Sequence, residues 1–246
     1  MKRIAILLCL FCAQVFGQEK SETREFLGQL GGRTALLHLY AITQPDGSAR
    51  VTGEYLLLPT LQQRYLEGER SKQLGVIVLK EGNSPILYGR PPTATLQGTW
   101  MGGSFKGGRF GPSGQQRETF EFSDTFPPMD TYSANVRCEV AEGRYASKLA
   151  LNVENGKLKS LEWRSKVGPG DQPCALVNPE QRPDNGGLRG GLRFNAGRCS
   201  VTLRDLGEFV RVTAEDCAAM CGPQAYLEPL LVDRRGNCQL LRPQSK

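Results

Sequence analysis

The sequence predicts a mainly β protein: an N-terminal up-and-down, β-barrel-like module followed by a smaller, disulfide-stabilised, β-rich module with one short helix. Short apolar–polar alternations recur along the chain, separated by clusters of Gly, Pro, Asn and Asp that favour turns. Gly102, Gly103, Gly107, Gly108 and Gly111 crowd the end of the first half, where a sheet that curls and closes has to bend. Every cysteine beyond residue 17 (Cys138, Cys174, Cys199, Cys217, Cys221 and Cys238) falls in the second half, which marks that half as the disulfide-bonded unit.

Residues 1–17 read as a secretory signal peptide. Lys2 and Arg3 precede a mostly apolar run from Ile4 to Phe16, and Val15 and Gly17 suit a cut after residue 17. The run falls short of the roughly 20 residues a transmembrane helix needs. No later segment of the mature chain is long and apolar enough to span a bilayer either. The expected location is periplasmic or secreted, in a bacterium. There is no Asn-x-Ser/Thr acceptor, because Asn83-Ser84 is followed by Pro85, and this favours a bacterial over a eukaryotic route.

Residues 18–124 form the cysteine-free barrel-like module. Thr34 to Ile42 is a strand rich in Leu, Tyr and Ile, closed by the turn residues Gln44-Pro45-Asp46-Gly47. Val51, Gly53 and Tyr55 alternate with Thr52 and Glu54, and Gly75 to Leu79 is a short strand ended by Lys80-Glu81-Gly82-Asn83. Thr93 to Trp100 and Arg117 to Asp124 alternate again, the latter with Phe120 and Phe122 inward and Glu121 outward. Residues 125–132, with Pro127 and Pro128, read as a stiff linker.

Residues 133–246 form the second module. Lys148 to Val153 alternates around Leu149, Leu151 and Val153, and Asn155-Gly156 is the strongest hairpin signal in the chain. Leu158 continues the inward face, but Leu161 and Trp163 are out of phase, so a β-bulge near Lys159-Ser160 is predicted. Pro179 to Gly197 reads as a loop. Val201–Leu203 and Phe209–Val212 read as strands, and Thr213 with Asp216 as the start of a two-turn helix ended by Gly222-Pro223. Ala225 to Val232 and Cys238 to Leu241 are the final strand pair.

The stretches Phe26-Leu-Gly-Gln-Leu-Gly-Gly-Arg33, Val51-Thr-Gly-Glu-Tyr55, Leu66-Glu-Gly68, Val78-Leu-Lys-Glu81 and Leu96-Gln-Gly-Thr-Trp100 resemble a recurrent exported bacterial module, a small, uncharacterised, calycin-like β-barrel. The whole chain is similar to exported proteobacterial proteins of unknown function. The resemblance implies a barrel over about 100 residues and brings no catalytic residue with it.

Six exported cysteines permit about 15 pairings. The preferred set joins Cys138 to Cys174, with Cys199, Cys217, Cys221 and Cys238 paired among themselves. Cys217 and Cys221, four apart on a helix, should each reach a different strand. Export and the absence of paired C-x-x-C spacing favour disulfides over zinc, and no metal or other cofactor is implied.

The chain carries 31 basic and 25 acidic residues. Gln18 to Asp130 holds 12 of each, whereas Thr131 to Lys246 holds 17 basic against 13 acidic, so the excess belongs to the second module. This bias favours an anionic partner, such as lipid A phosphates or an acidic glycan, while the compartment and the modest charge disfavour nucleic acid. The candidate ligand-binding residues are Arg189, Arg193 and Phe194 in a Gly-rich segment, joined by Arg198, Arg204, Arg234 and Arg235.

Signals for catalysis are sparse. His38 is the single histidine and lies in an apolar strand, where a structural role fits best; no Gly-x-Ser-x-Gly elbow accompanies it. Glu118, Glu121 and Asp124 are the densest carboxylates, with Glu67 and Glu69 flanking Gly68, and a solvated strand face explains them better than a glycosidase pair. The reading that results is a non-enzymatic envelope protein offering a binding, scaffold or inhibitor surface. The alternatives are a carboxylate-dependent cell-wall glycan hydrolase and a carrier of a small ligand inside the N-terminal barrel.

Overall fold

Eight strands of the first half each pair antiparallel with their neighbours in sequence, and the first also pairs with the eighth. They are β1 (Ser21–Leu30), β2 (Arg33–Thr43), β3 (Ala49–Leu57), β4 (Gln62–Arg70), β5 (Val76–Gly82), β6 (Ala94–Met101), β7 (Ser104–Phe110) and β8 (Gln116–Ser123). The result is a closed up-and-down barrel, consistent with a calycin-like fold. The computed structural model describes residues 20–58, 60–72, 75–84, 91–168, 173–181, 190–221 and 226–241. Residues 1–17, read from the sequence as a signal peptide, and Arg189 lie outside them.

Alternation along each strand sends one face inward. Phe26, Leu37, Leu39, Val51, Leu66, Ile77, Leu79, Leu96, Phe105 and Phe122 are almost wholly buried in one cluster. Closure draws the strands together at glycines: a Cβ on Gly98 or Gly107 would stand 2.9 or 2.8 Å from the tip of the Phe120 ring. Phe120 therefore occupies the space those positions leave, with Phe105 4.6 Å away centroid to centroid. The space beside Trp100 holds the Phe26 ring at 5.4 Å and the Arg70 guanidinium at 4.9 Å.

The second half builds two sheets. One has the order β12 (Cys174–Val177), β11 (Lys157–Lys166), β10 (Tyr145–Glu154), β9 (Ala134–Glu142). The other runs β13 (Glu180–Gln181), β14 (Leu192–Ala196), β15 (Cys199–Asp205), β16 (Phe209–Glu215), β17 (Leu230–Asp233), β18 (Cys238–Leu240). Their inner faces share one buried cluster that includes Leu149, Leu151, Trp163, Leu176, Phe194, Val201, Leu203 and Val212, making a sandwich. The predicted bulge is present. Asn152 pairs with Ser160 and Val153 with Leu158, so Lys159 is the extra residue. That slip turns Trp163 fully inward, where its indole N–H donates to Ser147 Oγ at 2.9 Å.

Several expectations need correction. Residues 179–197 are not all loop, because Glu180–Gln181 and Leu192–Ala196 are strands and Phe194 belongs to the core. Thr213 caps no helix: it extends β16, its hydroxyl donating to the Thr202 carbonyl, and the helix α1 is the single turn Ala218–Cys221. In the final strand pair Tyr226 to Pro229 are not strand, so β17 begins at Leu230, and Ala225 lies outside the described residues. Cys138 pairs with Cys238 and not with Cys174; the other bonds are Cys174–Cys221 and Cys199–Cys217. Cys217 and Cys221 do reach different strands, β15 and β12.

Between β8 and β9 the linker is packed rather than merely stiff. Phe126 and Met129 are buried, and Gly190, at φ +87°, lies so close that a Cβ would overlap the Phe126 carbonyl.

Candidate functional site at the barrel–sandwich junction

Barrel and sandwich meet along an apolar patch. Leu27, Leu36, Leu56, Leu58 and Leu61 from the barrel pack with Phe126 of the linker and with Leu206, Phe209, Leu231 and Leu241 of the sandwich. Leu36 and Leu56 face outward because their neighbours Leu37 and Tyr55 face into the barrel. Leu61 sits at φ +52°, an unfavourable angle for a branched side chain, and its burial in the patch offsets that cost.

Beside this patch lies an ionic cluster. In the β14–β15–β16 ladder, Arg193 faces Thr202, Thr202 faces Thr213 and Arg204 faces Arg211. Strand alternation puts these five side chains on the face away from the sandwich core. Glu25, on the outer wall of the barrel, reaches across to them. Arg211 grips both of its carboxylate oxygens, Nη2 donating to Oε2 at 2.6 Å, and Arg204 donates to the same carboxylate. His38, cross-strand partner of Glu25, brings Nε2 to 3.2 Å of Oε1. At the outer end Arg193 pairs with Glu215 at 3.3 Å.

Burial alone would raise the pKa of Glu25. The hydrogen bond and charge of Arg211, with His38 and Arg204, outweigh it and hold the carboxyl below its ordinary value. Burial and the adjacent Arg211 charge push Arg204 down, against the pull of Glu25. Three guanidiniums thus face two carboxylates, and the buried Nε atoms of Arg193, Arg204 and Arg211 find no acceptor among the described residues. A groove of about 200 Å³ opens next to Arg211 and His38, lined also by Leu36, Leu56, Glu54 and Leu241.

A second ionic cluster lies inside the barrel. Glu81 is fully buried and its carboxylate accepts from Arg109 Nε at 2.7 Å and Nη2 at 2.9 Å, and from Tyr55 Oη at 2.9 Å and Thr93 Oγ1 at 3.1 Å. Arg109 also donates to Glu118, which pairs in turn with Arg33. Burial again opposes ionisation, yet Arg109, Tyr55 and Thr93 keep the Glu81 carboxyl lowered. Tyr55 is raised, first by burial and then by the Glu81 charge. With every oxygen engaged, this is a tie between strands rather than a proton-transfer site.

The carboxylates singled out from the sequence do not form a pair across a cleft. Glu118 points into the barrel and Glu121 outward to Lys106, while Asp124, nearly buried, accepts from Arg24 at 3.1 Å. Glu67 pairs with Arg50 on the outer wall. His38 is half exposed on the outer face rather than enclosed, and serves the Glu25 cluster.

Of the described arginines expected to bind ligand, Arg193 and Arg204 are on the face that carries Arg211. Arg198 is exposed in the turn between β14 and β15. Arg234 is held by Asp205 and the Gly207 carbonyl, with Arg235 beside it in the β17–β18 turn. Phe194 is fully buried and presents no surface. Arg211 was missed. It sits in a run of buried residues, Phe209 to Val212, and only its register opposite Arg204 marks it.

Among the described residues, no group of three or more His, Cys, Asp or Glu side chains is placed to hold a metal ion. What the junction offers chemically is recognition of an oxyanion by forked guanidiniums. Set against protein-family models, characterised proteins and solved structures, the chain finds no match.

Proposed function

We propose that this chain is a non-enzymatic, exported envelope protein that binds an anionic ligand, with the arginine-bearing face of the second sheet as its recognition surface. The observation that carries the reading is the register of Arg193, Arg204 and Arg211 on one face, three cations opposed by two carboxylates. Such a face attracts and orients anions through charge and bidentate hydrogen bonds. Three disulfides in the second half fit an oxidising compartment, and the basic, apolar start of the chain supports export to it. No helix among the described residues is long and apolar enough to cross a membrane.

Isothermal titration with vesicles bearing a phosphomonoester lipid, against neutral vesicles, tests the reading. Saturable micromolar binding is expected, weakened by Arg193→Ala and unchanged by Arg235→Ala, which lies in a different turn. Equal response to neutral vesicles, or equal effects of the two substitutions, removes its support.

A further inference from the structure

We propose that Glu25 is a built-in occupant of the anion site: its carboxylate fills the position between Arg204 and Arg211 that a phosphate-type oxyanion would take, so that ligand binding and docking of the barrel compete. This rests on the arginine face being the recognition surface and adds how that surface is regulated.

The geometry at Glu25 is that of a bound ligand. Arg211 meets the two carboxylate oxygens with its two terminal nitrogens, and Arg204 adds a third donor. This is the fork that guanidinium presents equally to carboxylate and phosphate. The occupant comes from the other module. Glu25 belongs to the barrel wall, whereas both arginines belong to the sandwich, and the leucine-rich patch lies beside them. Release of Glu25 from the arginines has to be met by loosening of that patch, whose burial opposes it.

The occupant is also incomplete. A guanidinium carries five N–H donors, and the Nε atoms of Arg193, Arg204 and Arg211 are buried without an acceptor among the described residues. A phosphate offers more oxygens than one carboxylate, and a diphosphate extends along the row towards Arg193. Glu54, an acid on this wall beside His38 that lines the same groove as Arg211, accepts from Gln63. His38 supports the docked state by approaching Glu25 from the barrel side. The groove beside His38 and Arg211 opens next to the cluster.

The test uses inorganic pyrophosphate as a soluble probe of the full chain. Glu25→Gln should tighten pyrophosphate binding by at least about tenfold, the scale of one charge-assisted hydrogen bond. Wild-type binding that depends on Arg193 but is unchanged by Glu25→Gln leaves the anion surface standing and overturns the competition. No pyrophosphate binding to either protein removes both. If Glu25→Gln does not fold, hydrogen exchange on the wild-type chain decides. Saturating pyrophosphate should speed exchange of amides around Glu25 and His38, and unchanged or slower exchange there overturns the proposal. Vesicles carrying the phosphomonoester lipid, run in parallel, distinguish a lipid headgroup from free phosphate as the source of the oxyanion.

Discussion

Glu81→Ala tests the barrel where its logic is most exposed. The substitution removes a carboxylate with no solvent contact and strands Arg109, whose side chain is 17% exposed and retains only Glu118 at 3.2 Å. The Tyr55 hydroxyl loses its acceptor as well, whereas Thr93 keeps the backbone carbonyl of residue 81 at 3.2 Å. Breaking a buried ion pair from one side costs about 3–5 kcal/mol, because the partner stays charged and desolvated. Replacing both members, Glu81→Leu with Arg109→Met, removes the stranded Arg109 charge, and what remains is the orphaned Tyr55 hydroxyl and the lost 3.7 Å partner of the part-exposed Arg64, together about 1–3 kcal/mol. Urea unfolding followed by Trp100 fluorescence, in a Trp163→Phe background, isolates the barrel, since these are the chain's two tryptophans and each lies in a different core. The single variant should lower the barrel's midpoint by at least about 1 M, given slopes of roughly 1–3 kcal/mol/M. A cost below about 1 kcal/mol, or a double variant as damaged as the single, would refute the reasoning.

Other expectations follow from the same contacts. Glu25 and Glu81 both titrate lower in the fold than in the unfolded chain, so their stabilisation is complete above about pH 4.3 and is lost as pH falls through the depressed folded values. Acid titration monitored by circular dichroism should show it, with Glu81→Gln flattening the acid limb. Removing Cys138–Cys238, which spans 100 residues, should cost about 4.7 kcal/mol by chain entropy, against about 3 for Cys199–Cys217, which spans 18. Denaturation of the paired Cys→Ala variants ranks the two, and equal losses would contradict it. Gly190→Ala, which sets a methyl against the Phe126 carbonyl, should destabilise by about 2 kcal/mol or more and open the linker to protease. Gly197→Ala, at φ +62° with open space around it, should cost only about 1 kcal/mol.

Period-two alternation made much of the fold legible, including the barrel's closure and the bulge at Lys159, which Trp163 betrayed by standing out of phase. Strands whose inward positions are not apolar stayed hidden. β4 turns Arg64 and Arg70 towards the barrel interior, and β7 alternates Phe105 with Gly107 and Arg109, so neither shows a hydrophobic stripe. The junction was invisible for a different reason. Glu25 and Arg211 are 186 residues apart, and their meeting depends on how two finished modules dock. Arg193 was recognised among neighbouring arginines, but which of them share a face is a matter of register, and composition carries no register.

The disulfides are strictly nested: first cysteine with last, second with fifth, third with fourth. If the chain is exported as proposed, threading amino end first into an oxidising space would expose Cys138 and Cys174 before their partners Cys238 and Cys221 arrive. Pairing by order of emergence would therefore trap a wrong bond, which exchange must undo: attack of the Cys221 thiolate on Cys174 forms the Cys174–Cys221 bond and frees Cys138 for Cys238. Maturation of the sandwich should thus lag the thiol-free barrel and lean on an isomerase, which pulse-chase trapping of mixed disulfides would reveal.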